Sequence, residues 1–228
     1  MRQTQPVLCI RPEPGLTATR RNAAKAGIEV KGQPMFAIRS VSWDPPEGRF
    51  DAILAGSANV FRKGGPGLAL YKDLPVHAVG QTTAELARQH GFTVASIGRG
   101  GLQSVLDALG GGVLHLLRLC GRDRVELSVH EAVSVTDRAV YESAPLPMPA
   151  EMGAILRDGG VVLLHSAAAA RHFAEQIDRL RIHRGNIALV ALAPAIAVAA
   201  GNGWRAVLVA ETPDDTALLA LAAQLCHD

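Results

Sequence analysis

The chain has 228 residues, 48% of them hydrophobic, enough for one large core or two modest ones. Its 23 basic and 21 acidic residues nearly cancel, leaving a net charge of +2 and no strong field for nucleic acid. No apolar run reaches the ~20 residues of a membrane helix, and three scattered cysteines with no CxxC pair or secretory segment point to a reducing, cytoplasmic setting.

Pro6–Ile10 (PVLCI) reads as a short buried strand, followed by the stiff turn Arg11-Pro12-Glu13-Pro14-Gly15. Thr17 is placed to cap a helix running to Ala26, Gly27 closes it, and Ile28–Val30 resumes as strand. A β-α-β start implies a parallel sheet with a right-handed crossover. Pro34–Val41 is extended, and Trp43–Gly48 (WDPPEG) breaks the chain.

Phe50–Phe61 (FDAILAGSANVF) is then an apolar strand, a small polar turn and a helix. Leu74–Gly91 (LPVHAVGQTTAELARQHG) repeats that plan: the strand stops at Gly80, and Thr82 with Glu85 has capping-box spacing for the helix behind it. A further strand and helix fill Thr93–Leu109. Beyond Gly110-Gly111-Gly112, Val113–Leu117 is a strand. Cys120–His130 is too short and too β-branched for a good helix and reads as a loop. Ala132–Val135 and Ala139–Pro145 are extended.

Gly160–Phe173 (GVVLLHSAAAARHF) echoes Phe50–Phe61, Asn186–Trp204 echoes Leu74–Gly91, and Ala206–Leu225 echoes Thr93–Leu109. Three echoes in one order indicate an internally duplicated β/α half. Two extended segments flanking one complete copy then make the first domain discontinuous. The expected domains are residues 1–36 with 142–228, and an inserted domain at 37–141. The fold class is α/β: two similar parallel-sheet domains of flavodoxin/Rossmann-like type, joined by a two-stranded linker.

Other α/β enzymes fit poorly. A dinucleotide-binding Gly-x-Gly-x-x-Gly does not follow the first strand, no Gly-Lys-Ser/Thr marks a phosphate loop, and Gly56-Ser57-Ala58 is a poor nucleophile elbow. The eight histidines never take a metal-ligand spacing, and His165 reads as a structural residue at a strand end. What the pattern does offer is a set of helix N-termini behind Ser57, Gly80, Ser166 and Pro194, whose backbone N–H groups suit anions. In open α/β sheets ligands bind at the carboxyl ends of the strands, where these turns fall.

In order and spacing these motifs resemble uroporphyrinogen-III synthase. The resemblance rests on Ile10-Arg11-Pro12, Phe50-Asp51-Ala52 leading to Ser57-Ala58-Asn59, and Ala78-Val79-Gly80 with Thr82-Thr83-Ala84. It continues through Val140-Tyr141, Ser166 before Ala169-Ala170-Arg171, and Ala193-Pro194 before Gly203-Trp204. It implies a cofactor-free, monomeric lyase, with its site in a cleft between domains, that dehydrates and cyclises the linear tetrapyrrole hydroxymethylbilane. Ring D is inverted through a spiro intermediate, and hydroxymethylbilane synthase is a partner to expect.

By the same resemblance Tyr141 is the candidate proton donor for the leaving water. A phenol carries its proton at neutral pH without tuning. Substrate-binding candidates are Arg11, Ser57, Ala58, Asn59, Gly80, Thr82, Thr83, Ser166, Ala167, Pro194 and Ala195. The serines and threonines can serve as helix caps instead, and Arg11 can pair with Glu13 or another carboxylate. Gly56, Ala168 and Ala193 stand where many members carry hydroxyls, which shifts weight to backbone contacts. The rival reading is a non-catalytic two-lobe tetrapyrrole- or anion-binding protein of the same fold.

Overall fold

The structure, a computed structural model, describes residues 5–109, 112 and 114–227. One unit begins with β1 (Val7–Cys9), α1 (Gly15–Lys25) and β2 (Val30–Gly32). The chain then builds a second unit from β3 (Phe36–Ser40), β4 (Ala52–Ala55), α2 (Asn59–Lys63), a 3-10 turn at Pro66–Tyr71 and β5 (Val76–Val79). That unit continues with α3 (Gln81–Gln89), β6 (Val94–Gly98), α4 (Leu102–Asp107), β7 (Leu114–Gly121) and β8 (Val133–Pro145). The first unit resumes with α5 (Ala150–Asp158), β9 (Gly160–Leu164), α6 (Ala167–Arg179) and β10 (Ile187–Ala191). It ends with α7 (Pro194–Ala200), β11 (Ala206–Val209) and α8 (Asp215–His227). The units are Met1–Ala37 with Ala144–Asp228, and Ile38–Ser143.

In the discontinuous unit the strands lie in the order β11-β10-β9-β1-β2, all parallel. Numbered along the chain this is the order 2-1-3-4-5 of flavodoxin-like sheets, with its switch point between β1 and β9. Helices cover both faces. Leu8, Val162 and Leu164 pack with Met152, Leu156 and Phe173 on one side, and Val7, Cys9 and Leu163 with Leu16, Leu218 and Leu219 on the other. A strand buried on both faces has no polar side to show, which is why β9 and β10 are unbroken apolar runs.

The inserted unit has the order β3-β8-β7-β4-β5-β6, and from β8 to β6 its strands are parallel. Taking β7, β8, β4, β5 and β6 as first to fifth recovers the order 2-1-3-4-5, with the switch point between β7 and β4. The duplicated segments occupy matching places: β4, β5 and β6 in one sheet correspond to β9, β10 and β11 in the other.

Ile53, Ala55, Leu117 and Leu119 meet Phe61, Ala84 and Ala87 on one face of this sheet. On the other face Ala52, Leu54 and Leu116 pack, among the described residues, with Val105 and Leu106 of α4, with Leu109 after it, and with Leu127 from the segment between β7 and β8. The corresponding connection in the first unit, from β1 to β2, carries α1. Here residues 122–130 cross without a helix, as their composition predicts.

Two expectations need correction. β7 runs on through Cys120 and Gly121 rather than ending at Leu117, and the two extended pieces after it are a single strand, β8. Residues 136–138, which interrupt the apolar pattern, pair with Leu117, Arg118 and Leu119, so the ladder carries them. Thr17 does not cap α1, which starts at Gly15. The cap is supplied from before the helix: Glu13 accepts from the Thr17 backbone N–H at 3.1 Å and from its hydroxyl at 2.9 Å.

Candidate active site

At the switch point of the inserted unit, β4 ends in Gly56 and Ser57, and β7 ends in Gly121. The Ser57 Oγ accepts the Asn59 backbone N–H at 3.2 Å and turns the chain into α2. Ala58 is buried beneath that turn, and the Asn59 carboxamide oxygen accepts from Arg62 at 3.2 Å. A cavity of about 410 Å³ opens here, lined among others by Gly56, Ser57, Leu102, Arg118, Gly121 and Tyr141. Its position, outside the carboxyl ends of parallel strands where strand order reverses, is the ligand site of open α/β sheets.

Tyr141 lies on β8, half-buried, with its ring over Gly121. The Arg122 backbone N–H donates to the Tyr141 carbonyl at 2.9 Å, which fixes the end of β7 against β8. Among the described residues no protein group hydrogen-bonds the Tyr141 hydroxyl, and Tyr141 lines the cavity.

The helix after β5 begins two residues earlier than the Thr82–Glu85 spacing predicts. Gly80, at φ 76° and ψ 155°, is the N-cap of α3, and no side chain caps the helix. Only glycine reaches that conformation without strain, so the backbone sets the start. Glu85 instead accepts from Gln81 at 3.2 Å, and the Ala84 N–H reaches back to the Gly80 carbonyl at 3.3 Å. The N–H groups of residues 81–83 therefore have no partner within the helix. Thr82 is exposed beside them, and Thr83 is buried, 4% exposed.

The remaining candidates belong to the discontinuous unit. Ser166 is a true N-cap, its Oγ accepting the Ala169 N–H at 3.2 Å. Ala167 follows it, half-buried, and Pro194 and Ala195 open α7, exposed and without a side-chain cap. Arg11 does not pair with Glu13. It donates to the Thr19 hydroxyl at 3.1 Å and lies 3.5 Å from Asp215.

Asp215 is the centre of a group that sequence reading missed. It accepts from Thr19 at 2.9 Å and from His165 Nε2 at 3.0 Å, and lies 3.4 Å from the Asn22 amide. Burial opposes the charge on Asp215, yet the hydrogen bonds from Thr19 and His165, with the Arg11 charge, hold its carboxyl below its ordinary range. Burial, helped by Arg11, also lowers His165, which is therefore a neutral imidazole donating through Nε2. In the inserted unit, sequence reading likewise passed over Arg118, a guanidinium on β7 whose side chain is 7% exposed. Its one signal was a single cation inside an apolar run.

Two flavodoxin-ordered sheets, one carrying a tyrosine-lined cavity at its switch point, define a duplicated α/β protein. The chain matches the family model described as uroporphyrinogen-III synthase HemD over residues 18–220 and belongs to that family. The uroporphyrinogen-III synthetase of Helicobacter pylori 26695 superposes with a TM-score of 0.62 at 15% identity, covering 97% of this chain and 99% of that one. A mutant uroporphyrinogen III synthase of the extremely thermophilic bacterium Thermus thermophilus superposes at 0.53 with 19% identity, covering 98% and 100%. These likenesses establish the shared fold. No curated protein matches the chain in sequence. Family members are cyclising lyases of porphyrin biosynthesis that act on a linear tetrapyrrole.

Proposed function

We propose that this chain cyclises hydroxymethylbilane with inversion of ring D and loss of water, giving uroporphyrinogen III. The observation that carries the reading is the family match over residues 18–220. The eight carboxylates of the substrate need many weak holds rather than one strong one. Backbone N–H groups at the start of α3 and at the turn after β10, where no side chain caps the helix, offer holds that do not depend on side-chain identity. That explains how Gly56, Ala168 and Ala193 can stand in this chain without hydroxyls.

Tyr141 is the proton donor in this account. Its hydroxyl gives a proton to the leaving hydroxyl, the C–O bond breaks, and water departs from a resonance-stabilised azafulvene cation. Ring D attacks through its substituted carbon to give the spiro intermediate, which opens and recloses inverted. The proton lost on final closure returns to the phenolate, so only water leaves overall. Because free hydroxymethylbilane closes to the I isomer by itself, the protein contributes mainly by holding the folded chain on the spiro route.

Hydroxymethylbilane synthase supplies the substrate and is the proposed partner. A cytoplasmic location is consistent with three free cysteines, and no helix among the described residues is long and apolar enough to cross a membrane.

The test of the donor is Tyr141→Phe, which keeps the ring and removes the proton. Its kcat is expected to fall about 10²-fold or more with KM little changed. An unchanged kcat would remove Tyr141 from the mechanism.

A further inference from the structure

Three arginines surround the segment that crosses from β7 to β8 without a helix, and they are not equally satisfied. Arg122 holds Glu142 at 2.8 Å, and Arg124 holds Asp137 Oδ2 through its Nε at 2.6 Å. Arg118 is left with the remainder. Its nearest carboxylate oxygen is that same Asp137 Oδ2, at 3.6 Å and already engaged by Arg124. Its one short hydrogen bond runs from Nη2 to the Val125 carbonyl at 2.7 Å, and its Nε is buried with no partner. A buried cation normally has its donors filled by carboxylates or carbonyls. Arg118 does not.

Its surroundings point to a ligand. Arg118 lines the cavity that contains Tyr141 and also a second one of about 460 Å³, lined with it by Arg122, Arg124 and Asp137. The covering segment is anchored at one end, where Leu127 packs against the sheet and the Ser128 backbone exchanges two hydrogen bonds with Gln103, at 2.9 and 3.0 Å, while Val125 is 80% and Val129 48% exposed. One backbone carbonyl is the main polar contact between this segment and the guanidinium.

We propose that Arg118 is a carboxylate-binding residue for the substrate, gripping one acetate or propionate group in the cavity beside Tyr141. The carboxylate takes the place of the Val125 carbonyl, residues 123–127 shift to admit it, and the planar fork is filled by two parallel N–H···O bonds. This rests on the synthase reading for the identity of the ligand, but not for the existence of the site.

The test is calorimetric binding of uroporphyrinogen III, kept reduced, to the wild-type chain, Arg118→Met and Arg118→Lys, with thermal melts to establish folding. Arg118→Met is expected to weaken binding at least ten-fold and Arg118→Lys to recover part of the loss, as charge returns without the fork. In turnover, KM should rise while kcat stays within about two-fold, the mark of a group that binds ground state and transition state alike. A folded Arg118→Met variant that binds as the wild type does would overturn the proposal, as would a wild-type chain that does not bind this octacarboxylate.

If Arg118→Met does not fold, hydrogen exchange on the wild type decides. Ligand should change exchange of the amides in residues 123–127, and unchanged exchange there sinks the idea. Binding requires no turnover, so a chain whose affinity depends on Arg118 but which forms no III isomer would keep this site and lose the synthase reading.

Discussion

Gly121 is the floor on which the Tyr141 ring rests. A Cβ placed on Gly121 would lie 2.9 Å from Tyr141 Cε2 and 3.0 Å from Cζ, closer than carbon atoms pack. Any other residue at 121 must push the ring away, and with it the hydroxyl.

The Gly121→Ala variant is therefore expected to behave as a misplaced Tyr141. Overpacking at one methyl costs about 1–3 kcal/mol, measurable by urea unfolding, and kcat should fall by about 10-fold to 10²-fold. Combining Gly121→Ala with Tyr141→Phe should cost little more kcat than Tyr141→Phe alone. Additive losses would show that the two residues act independently.

The caps separate two threonine- and serine-led helix starts that look alike in sequence. Ser166→Ala removes a real cap and should cost about 1 kcal/mol. Thr82→Ala removes an exposed hydroxyl that caps nothing, and should change stability by less than about 0.5 kcal/mol. Denaturant midpoints at fixed m-value compare them directly; equal losses would restore the capping box that the Gly80 conformation replaces.

Asp215 ties three elements of the discontinuous unit together. Asp215→Ala leaves Arg11, Thr19 and His165 without their common acceptor and should cost about 2–3 kcal/mol. The pH dependence has a definite sign. The ordinary value of His165 is 6.5 and of Asp215 is 3.8, and both are lower in the folded chain. The unfolded chain thus binds more protons in each window, so the stability from these groups is complete above each ordinary value. It is lost as pH falls below 6.5 for His165 and below 3.8 for Asp215. Urea melts from neutral pH down to about pH 5 should show falling stability, and His165→Gln should flatten that slope. A slope unchanged by His165→Gln would contradict a neutral, buried imidazole.

Much of this architecture is legible in the sequence because its physics is local. The apolar runs of β4, β5, β9 and β10, each ending in a small-residue turn, show both the sheets and their duplication. Ser166 can be read as a cap because β-region backbone and a free Oγ are properties of one residue and its next three neighbours. What escapes is set by distant partners or by backbone dihedrals.

Arg11 and Asp215 are separated by 204 positions, so their contact has no sequence signal. The Thr82–Glu85 spacing is genuine, but Gly80 at positive φ starts α3 first and moves both side chains out of capping register. Arg118 interrupts an apolar run and so looks like a strand end, whereas the strand continues and buries the charge.

The central claim is that this chain directs ring closure. It is tested most directly by generating hydroxymethylbilane in the presence of the protein, oxidising the products and separating the isomers. The account predicts predominantly the III isomer, well above the no-enzyme control. Only the I isomer, from protein shown to be folded, would contradict it and leave a two-unit tetrapyrrole binder in its place.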